Sequence, residues 1–315
     1  MIAVAAPFPL RLRAYFAERF PALRYAVLIA SYYSSNQFLA QALTRPSEPV
    51  HYDGSTVRGA VLLFCVFLHL RIFDEHKDYA DDCRHFPDRV LQRGLITLGD
   101  LRTLGALAIG VEFVLAAYQG PAAVAAVCLV FIFTVLMLHE FFLGDWLKRR
   151  FLLYAGLHML IMPLLALLVY SFTTGRLPWE APGWFWIYGF VGFFVTFNWE
   201  VSRKIRTPGE EIDGVDSYTR LFGTYGAAYV VLGIRVVDTL LVSLVGRHLG
   251  LSPWFYAVLA LLFAVCMVGF LQYRLRTSPR TARRMELYAG LYIIAFDLAL
   301  AVELARLTAL RAATT

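Results

Sequence analysis

The sequence predicts an all-α, polytopic membrane protein, a bundle of nine transmembrane helices, and three observations predict it. The chain of 315 residues is 59% hydrophobic with a mean hydropathy of +0.60, more apolar surface than a water-soluble core of that size can hide. Runs of about 20 mostly apolar residues, the length that crosses a bilayer as a helix, recur along the chain. Lys and Arg gather on alternate connections between those runs, as cytoplasmic loops require.

The N-terminal stretch comes first. Met1 to Leu10 is apolar but lacks a basic leading region and a small-residue cleavage site, so it does not read as a signal peptide. Arg11, Arg13, Arg19 and Arg24 then alternate with Tyr15, Phe16, Phe20 and Tyr25, the mixture of an interfacial helix, so residues 1–22 are expected to lie on the membrane before the first span. Spans begin near Leu23, Val57, Leu104, Ala122, Phe151, Trp184, Tyr225, Trp254 and Leu287. No repeat recurs at a fixed period, and residues 1–315 read as one membrane domain. Cys65, Cys83, Cys128 and Cys266 are far apart, which argues against a disulfide framework and a CxxC metal site.

With the N-terminus inside, 22 of the 29 lysines and arginines fall on cytoplasmic connections and 6 outside. This bias places the N-terminus and the long, doubly charged connections 75–102 and 201–222 in the cytoplasm, in the inner membrane if the cell is bacterial. It also accounts for the net charge of +6 without a nucleic-acid partner.

The chemistry concentrates at two of those inner connections. Asp74, Asp78 and Asp82 stand at i, i+4 and i+8, so a continued second helix would stack their carboxylates on one face, with Glu75 flanking and Asp81 close by. Like charges at that spacing repel, so a cation is expected among them. Oxygen-only donors favour Mg²⁺, with Mn²⁺ possible, and Mg²⁺ commonly bridges one or two carboxylates to substrate phosphates. An acidic patch neutralised by Lys77, Arg84 and Arg89 is the plainer alternative. The sixth span ends in Asn198, Glu200, Arg203 and Lys204, followed by Glu211, Asp213, Asp216 and Thr219. Arg203 and Lys204 suit phosphate oxygens, and spans two and six both run inward, so the two groups open on one face. His139-Glu140 with Lys148-Arg149-Arg150 forms a weaker third group. Glu112, Arg235, Asp238, Asp297 and Glu303 are ionisable residues inside spans, which usually face the bundle interior; Arg235 and Asp238, three apart on one helix, would pair.

With these motifs the chain resembles the UbiA superfamily of intramembrane prenyltransferases, which share nine helices, a first motif NDxxDxxxD after helix two and a second acidic motif after helix six. Asp74-Glu75-x-x-Asp78-x-x-x-Asp82 matches the first in spacing, with Asp for Asn and Glu for the first Asp. Arg89-Val-Leu91-Gln-Arg93-Gly94 is similar to the family's RPLxxG, with Val90 for Pro. The second motif departs, pairing Glu200 with Lys204 where the family has DxxxD, and Gly144 stands at the Tyr of the family's YxxxK, whose Lys position is Lys148. The resemblance implies a Mg²⁺-dependent transfer of an isoprenyl group from a prenyl diphosphate to a lipophilic or aromatic acceptor. Asp74, Glu75, Asp78, Asp82 and Glu200 would be the catalytic carboxylates, and Glu211 or Asp213 would assist them as metal ligands. Arg84, Arg89, Lys148, Arg203 and Lys204 would hold the diphosphate. A terpene cyclase using the same site is the near alternative, and a transporter coupled through Asp297, Asp238 and Glu112 the remote one.

Overall fold

In the computed structural model, which describes residues 7–314, the apolar runs fold as helices and no strand forms among those residues. In chain order these are α1 (Phe8–Arg19), α2 (Ala22–Thr44), α3 (Gly54–Lys77), α4 (Tyr79–His85), α5 (Leu98–Gln119) and α6 (Pro121–Leu138). They continue with α7 (Gly144–Lys148), α8 (Phe151–Met159), α9 (Ile161–Thr174), α10 (Gly183–Arg203), α11 (Tyr218–Leu249), α12 (Pro253–Leu275) and α13 (Pro279–Thr314).

Local chemistry sets the ends. The Asp53 carboxylate accepts from the amides of Ser55 (2.9 Å) and Thr56 (3.1 Å) to start α3, and Thr97 with Asp100 closes a second reciprocal cap on α5. Pro121 and Pro253 open α6 and α12 where their missing N–H has no helical partner to lose. α11 bends near its start at Gly223, whose φ of 75° favours glycine.

Seven helical segments among the described residues are long and apolar enough to cross a membrane: α3, α5, α6, α8 with α9, α11, α12 and α13. α2 and α10, also expected to span, have 23 and 21 residues but fall short in apolarity. α2 buries Ser31, Ser35, Asn36, Gln37 and Gln41, while α10 buries Tyr188, Asn198 and Glu200. Both pack against several neighbours, α2 on α3, α9 and α13, and α10 on α9, α11 and α13, so protein covers much of the surface that lipid would otherwise cover.

Glu112, Arg235 and Asp297, ionisable residues within the spans, each take a partner from another helix. His69 Nδ1 lies 2.7 Å from Glu112 and its Nε2 lies 3.1 Å from Thr134, joining α3, α5 and α6. Arg235 donates to Asp238 (2.7 Å) and to the Asn198 side chain (2.8 Å), and its guanidinium lies 3.5 Å from the Tyr292 ring centroid. Asn198 therefore belongs to this interior network. Asp297, which has no partner near it in sequence, accepts from Ser35 (2.7 Å) and Tyr188 (3.4 Å).

α1 is more than an interfacial helix. Tyr15 and Phe20 are fully buried against Leu68, Ile72, Leu91, Ile96 and Leu101, Arg11 pairs with Asp100 at 2.6 Å, and Glu18 accepts the Val90 amide at 3.0 Å. Residues 1–6 of the expected 1–22 segment lie outside the described residues. The connections 75–102 and 201–222 also contain helix: α4 and the start of α5 in the first, the end of α10 and the start of α11 in the second.

Candidate active site

The first motif does not continue one helix. α3 stops at Lys77, Asp78 leaves helical geometry at φ −93° and ψ 2°, and α4 restarts at Tyr79. The turn retains the hydrogen bonds Asp78 N to Asp74 O and Asp82 N to Asp78 O, both 2.9 Å, so the motif stays compact while the chain changes direction at its central carboxylate. This break is the difference from the uninterrupted i, i+4, i+8 stack, and its cause is legible in the electrostatics: four carboxylates in the nine positions from Asp74 to Asp82, plus Asp81, disfavour a regular helix face.

The five acidic side chains then find different partners. Glu75 turns inward, 1% exposed, where Oε1 accepts from Arg19 Nε (2.7 Å) and from Arg71 Nε (3.0 Å) and Nη2 (2.6 Å). Asp82 pairs with Arg89, whose guanidinium stacks on Phe86 at 3.8 Å, and lies 3.7 Å from Arg19. Asp74 is met by Lys77 at 3.4 Å, and Asp81 by the exposed Arg84 at 3.2 Å. Asp78 alone of the five makes no side-chain hydrogen bond or ion pair among the described residues. Asp78 is exposed to solvent at the mouth of the bundle, and the protein around it, reinforced by Asp74 and Asp82 and opposed by Lys77, pushes its pKa up to about 6. That excess negative potential is what a bound cation would relieve.

The second group faces the first. Glu200, 6% exposed, is gripped by Arg203 and by Lys204 (2.9 Å). Arg203 is within electrostatic reach of Asp74 and Arg71, and Tyr25 at the start of α2 is within reach of Arg19, Arg71, Asp74 and Arg203. Glu211 is used locally: it accepts from Ser217 and Thr219, both at 2.7 Å, and Ser217 caps the start of α11. Asp213 is fully exposed beside Arg220. The structure thus gives Glu211 and Asp213 loop-building partners, and brings neither into contact with Asp74, Asp78 or Asp82 among the described residues.

α8 lies between the two groups. Lys204 sits 5.2 Å from the Phe151 ring centroid, and Lys77 donates to the Tyr154 hydroxyl at 3.2 Å. Phe151 and Tyr154 complete the site, beside the Lys77 already noted as a partner of the acidic patch, without having stood out in the sequence; the available signal was the inward stripe 151, 154, 155, 158 of α8 at helical spacing, against exposed Leu152 and Leu153. Lys148 pairs with Glu140 at 3.1 Å, which raises its pKa. Glu140, Phe141 and Phe142 all adopt positive φ, 48°, 55° and 57°, a strained run for residues with side chains. It brings the Glu140 carboxylate so close to Gly144 that a Cβ there would clash with Oε2. Gly144 makes room for that carboxylate. Gly144→Ala is therefore expected to push Glu140 aside and weaken a half-exposed ion pair, costing up to about 1 kcal/mol in thermal unfolding.

Among the described residues, no three His, Cys, Asp or Glu side chains converge to hold a metal by themselves. The donors fit a different arrangement, Mg²⁺ held by one or two carboxylates and shared with substrate phosphates: all are oxygens, and Asp78 is unpaired and electrostatically crowded.

Known proteins bear on this geometry. No curated protein matches the chain. Among solved structures, a UbiA homolog from Aeropyrum pernix K1 superposes with a TM-score of 0.64 at 15% identity, covering 85% of this chain and 96% of that one. A digeranylgeranylglyceryl phosphate synthase gives 0.62 at 16%, covering 94% and 99%, and a UbiA homolog from Archaeoglobus fulgidus bound to GPP and Mg²⁺ gives 0.58 at 15%, covering 92% and 99%. These likenesses show the fold. The model of the UbiA prenyltransferase family matches residues 27–294, which include both charged groups and α8, and the chain belongs to that family.

Proposed function

We propose that this intramembrane prenyltransferase moves an isoprenyl group from an allylic diphosphate to a lipophilic or aromatic acceptor, with Mg²⁺ as its metal. The observation that carries the reading is the opposition of Asp74, Asp78 and Asp82 to Arg203 and Lys204 at one end of the bundle, with Asp74 and Arg203 in electrostatic reach of each other. The Archaeoglobus homolog with GPP and Mg²⁺ and its counterpart with DMAPP and Mg²⁺ support the choice of donor and metal.

Asp78 would be the principal metal ligand, helped by Asp74 and Asp82. Bound Mg²⁺ supplies Lewis-acid neutralisation of the departing diphosphate. Arg203, Lys204 and Arg89, each already oriented by a carboxylate, would take the remaining phosphate oxygens, with Lys148 and Arg84 at the rim. Glu75 and Glu200 serve as positioning residues, Glu75 fixing Arg19 and Arg71, and Glu200 fixing Arg203 and Lys204. From Glu200 toward the membrane interior α10 carries Phe197, Phe194, Phe193 and Phe190 with successive ring centroids 5.0 to 6.2 Å apart where they meet. Rings along the isoprenyl path exclude water and stabilise allylic positive charge.

The test is turnover in proteoliposomes with geranyl, farnesyl and geranylgeranyl diphosphates, with and without a panel of phenols and isoprenoid alcohols. Prenylated acceptor and released diphosphate are expected, both lost on chelating Mg²⁺. Cyclic hydrocarbon or alcohol formed without acceptor would point to a cyclase. Intact donor under every condition would overturn the reading.

A further inference from the structure

Of the four histidines in the spanning helices, His76 and His248 stand one residue from a helix end, and His76, whose Nε2 is also unpaired, lies within the acidic motif itself; the two deeper ones have no place in the chemistry above. His69 is satisfied at both ring nitrogens. His158 is not. The residue is 7% exposed, its ring tilted against that of Tyr154 with centroids 4.2 Å apart and met edge-on by Phe141 at 5.5 Å. Nδ1 lies 2.8 Å from the Tyr154 carbonyl oxygen. A carbonyl only accepts, so Nδ1 carries the proton, and in the neutral ring Nε2 is left as a bare acceptor. That nitrogen is buried and has no hydrogen-bond partner among the described residues. Burying an unpaired acceptor destabilises the fold, a cost that leucine or phenylalanine at this position would avoid.

Its location gives that nitrogen a use. Phe151, Tyr154 and His158 share the inward face of α8, and the first two lie under the lysines of the opposing groups, Lys204 and Lys77. At 1.5 Å per residue His158 sits about 6 Å further along α8 than Tyr154, away from Lys77 and Lys204 on the side toward which an isoprenyl chain held by those groups would extend. A chain of contacts runs to it from the metal motif: Asp74 to Lys77 at 3.4 Å, Lys77 to the Tyr154 hydroxyl at 3.2 Å, and the Tyr154 ring to the imidazole.

We propose that His158 Nε2 is the general base of the transfer, taking the proton that a protic acceptor gives up as it is prenylated. The inference rests on the prenyltransferase reading above. The C1–O bond of the donor breaks and its electron pair leaves on the diphosphate; a bond closes between C1 and the acceptor's oxygen or ring carbon; the proton displaced from that atom passes to Nε2. The resulting imidazolium keeps its Nδ1 donation to the Tyr154 carbonyl. The charged groups that act on it are Lys77 and Asp74 on α3 and Glu140 in the turn before α7.

His158→Asn and His158→Gln test this. The asparagine amide can replace the Nδ1 donor and neither variant supplies a base. At saturating Mg²⁺, which would hold Asp78 ionised, transfer to the phenol panel is expected to fall at least about 100-fold in kcat, with Mg²⁺-dependent binding of geranyl S-thiolodiphosphate unchanged, and the wild-type rise of kcat with pH through an imidazole ionisation is expected to vanish. Native kcat and an unaltered pH profile in either folded variant would overturn the assignment while leaving the prenyltransferase reading intact. Should neither variant fold, a wild-type kcat without an ionisation below neutral pH would overturn it just as well. A wild-type protein that binds the analogue and prenylates nothing in the panel would overturn the prenyltransferase reading and this inference with it.

Discussion

Asp78→Ala is expected to lose allylic diphosphate turnover by about three orders of magnitude and to keep its fold. Both halves of that expectation come from the same geometry. Asp78 sits at the break between α3 and α4, has no hydrogen bond or ion pair of its own among the described residues, and has its pKa pushed up to about 6 by crowding and by Asp74 and Asp82. A group whose charged form the fold disfavours contributes no stability when ionised, so its removal is neutral or slightly stabilising above that pH. The same isolation leaves it the carboxylate freest to ligate Mg²⁺, and losing the ligand of a cation that would neutralise the leaving diphosphate would remove several kcal/mol of transition-state stabilisation; about 4 kcal/mol corresponds to that factor of a thousand. Donor turnover against Mg²⁺ concentration checks the activity, and thermal unfolding in detergent checks the fold. Native turnover by the variant with Mg²⁺ chelated would remove the metal from the mechanism.

How much of this was legible in the sequence follows from which signals are local. Span positions depend on long apolar runs, and these gave helices where expected; α2 and α10 are less apolar because their polar and aromatic residues face other helices, a tertiary circumstance that hydropathy does not encode. The first motif's carboxylates were visible as residues, but their division of labour was not. It depends on Arg19, which is 56 positions from Glu75 and reaches it only because α1 docks through Tyr15 and Phe20. Glu200 and Lys204 were visible as a pair at i, i+4, and the structure adds that both cations of that group are held by one buried carboxylate. Glu211 and Asp213 read as spare ligands in sequence, whereas Ser217 and Thr219 claim the first and solvent the second. His158 was not singled out among the ionisable residues within spans, and its free nitrogen is a fact of hydrogen-bond geometry.

Glu75→Gln separates the two roles that Glu75 can have. Were it a metal ligand, the variant would keep its stability and need more Mg²⁺. As the anchor of Arg19 and Arg71, buried at 1% exposure, it is expected to behave otherwise: deleting one member of a buried charge group leaves the others uncompensated, and such losses run to about 3–5 kcal/mol. Thermal unfolding should fall accordingly, and amide exchange in residues 8–19 should accelerate more than in α10, because α1 is tied to the bundle through this carboxylate. The Mg²⁺ dependence of the remaining activity should stay where it was. Arg71→Gln added to Glu75→Gln supplies the control, since removing a positive charge that has lost its partner is expected to recover part of the stability. A shifted Mg²⁺ requirement with native stability would instead return Glu75 to the metal, beside Asp78 rather than beneath it.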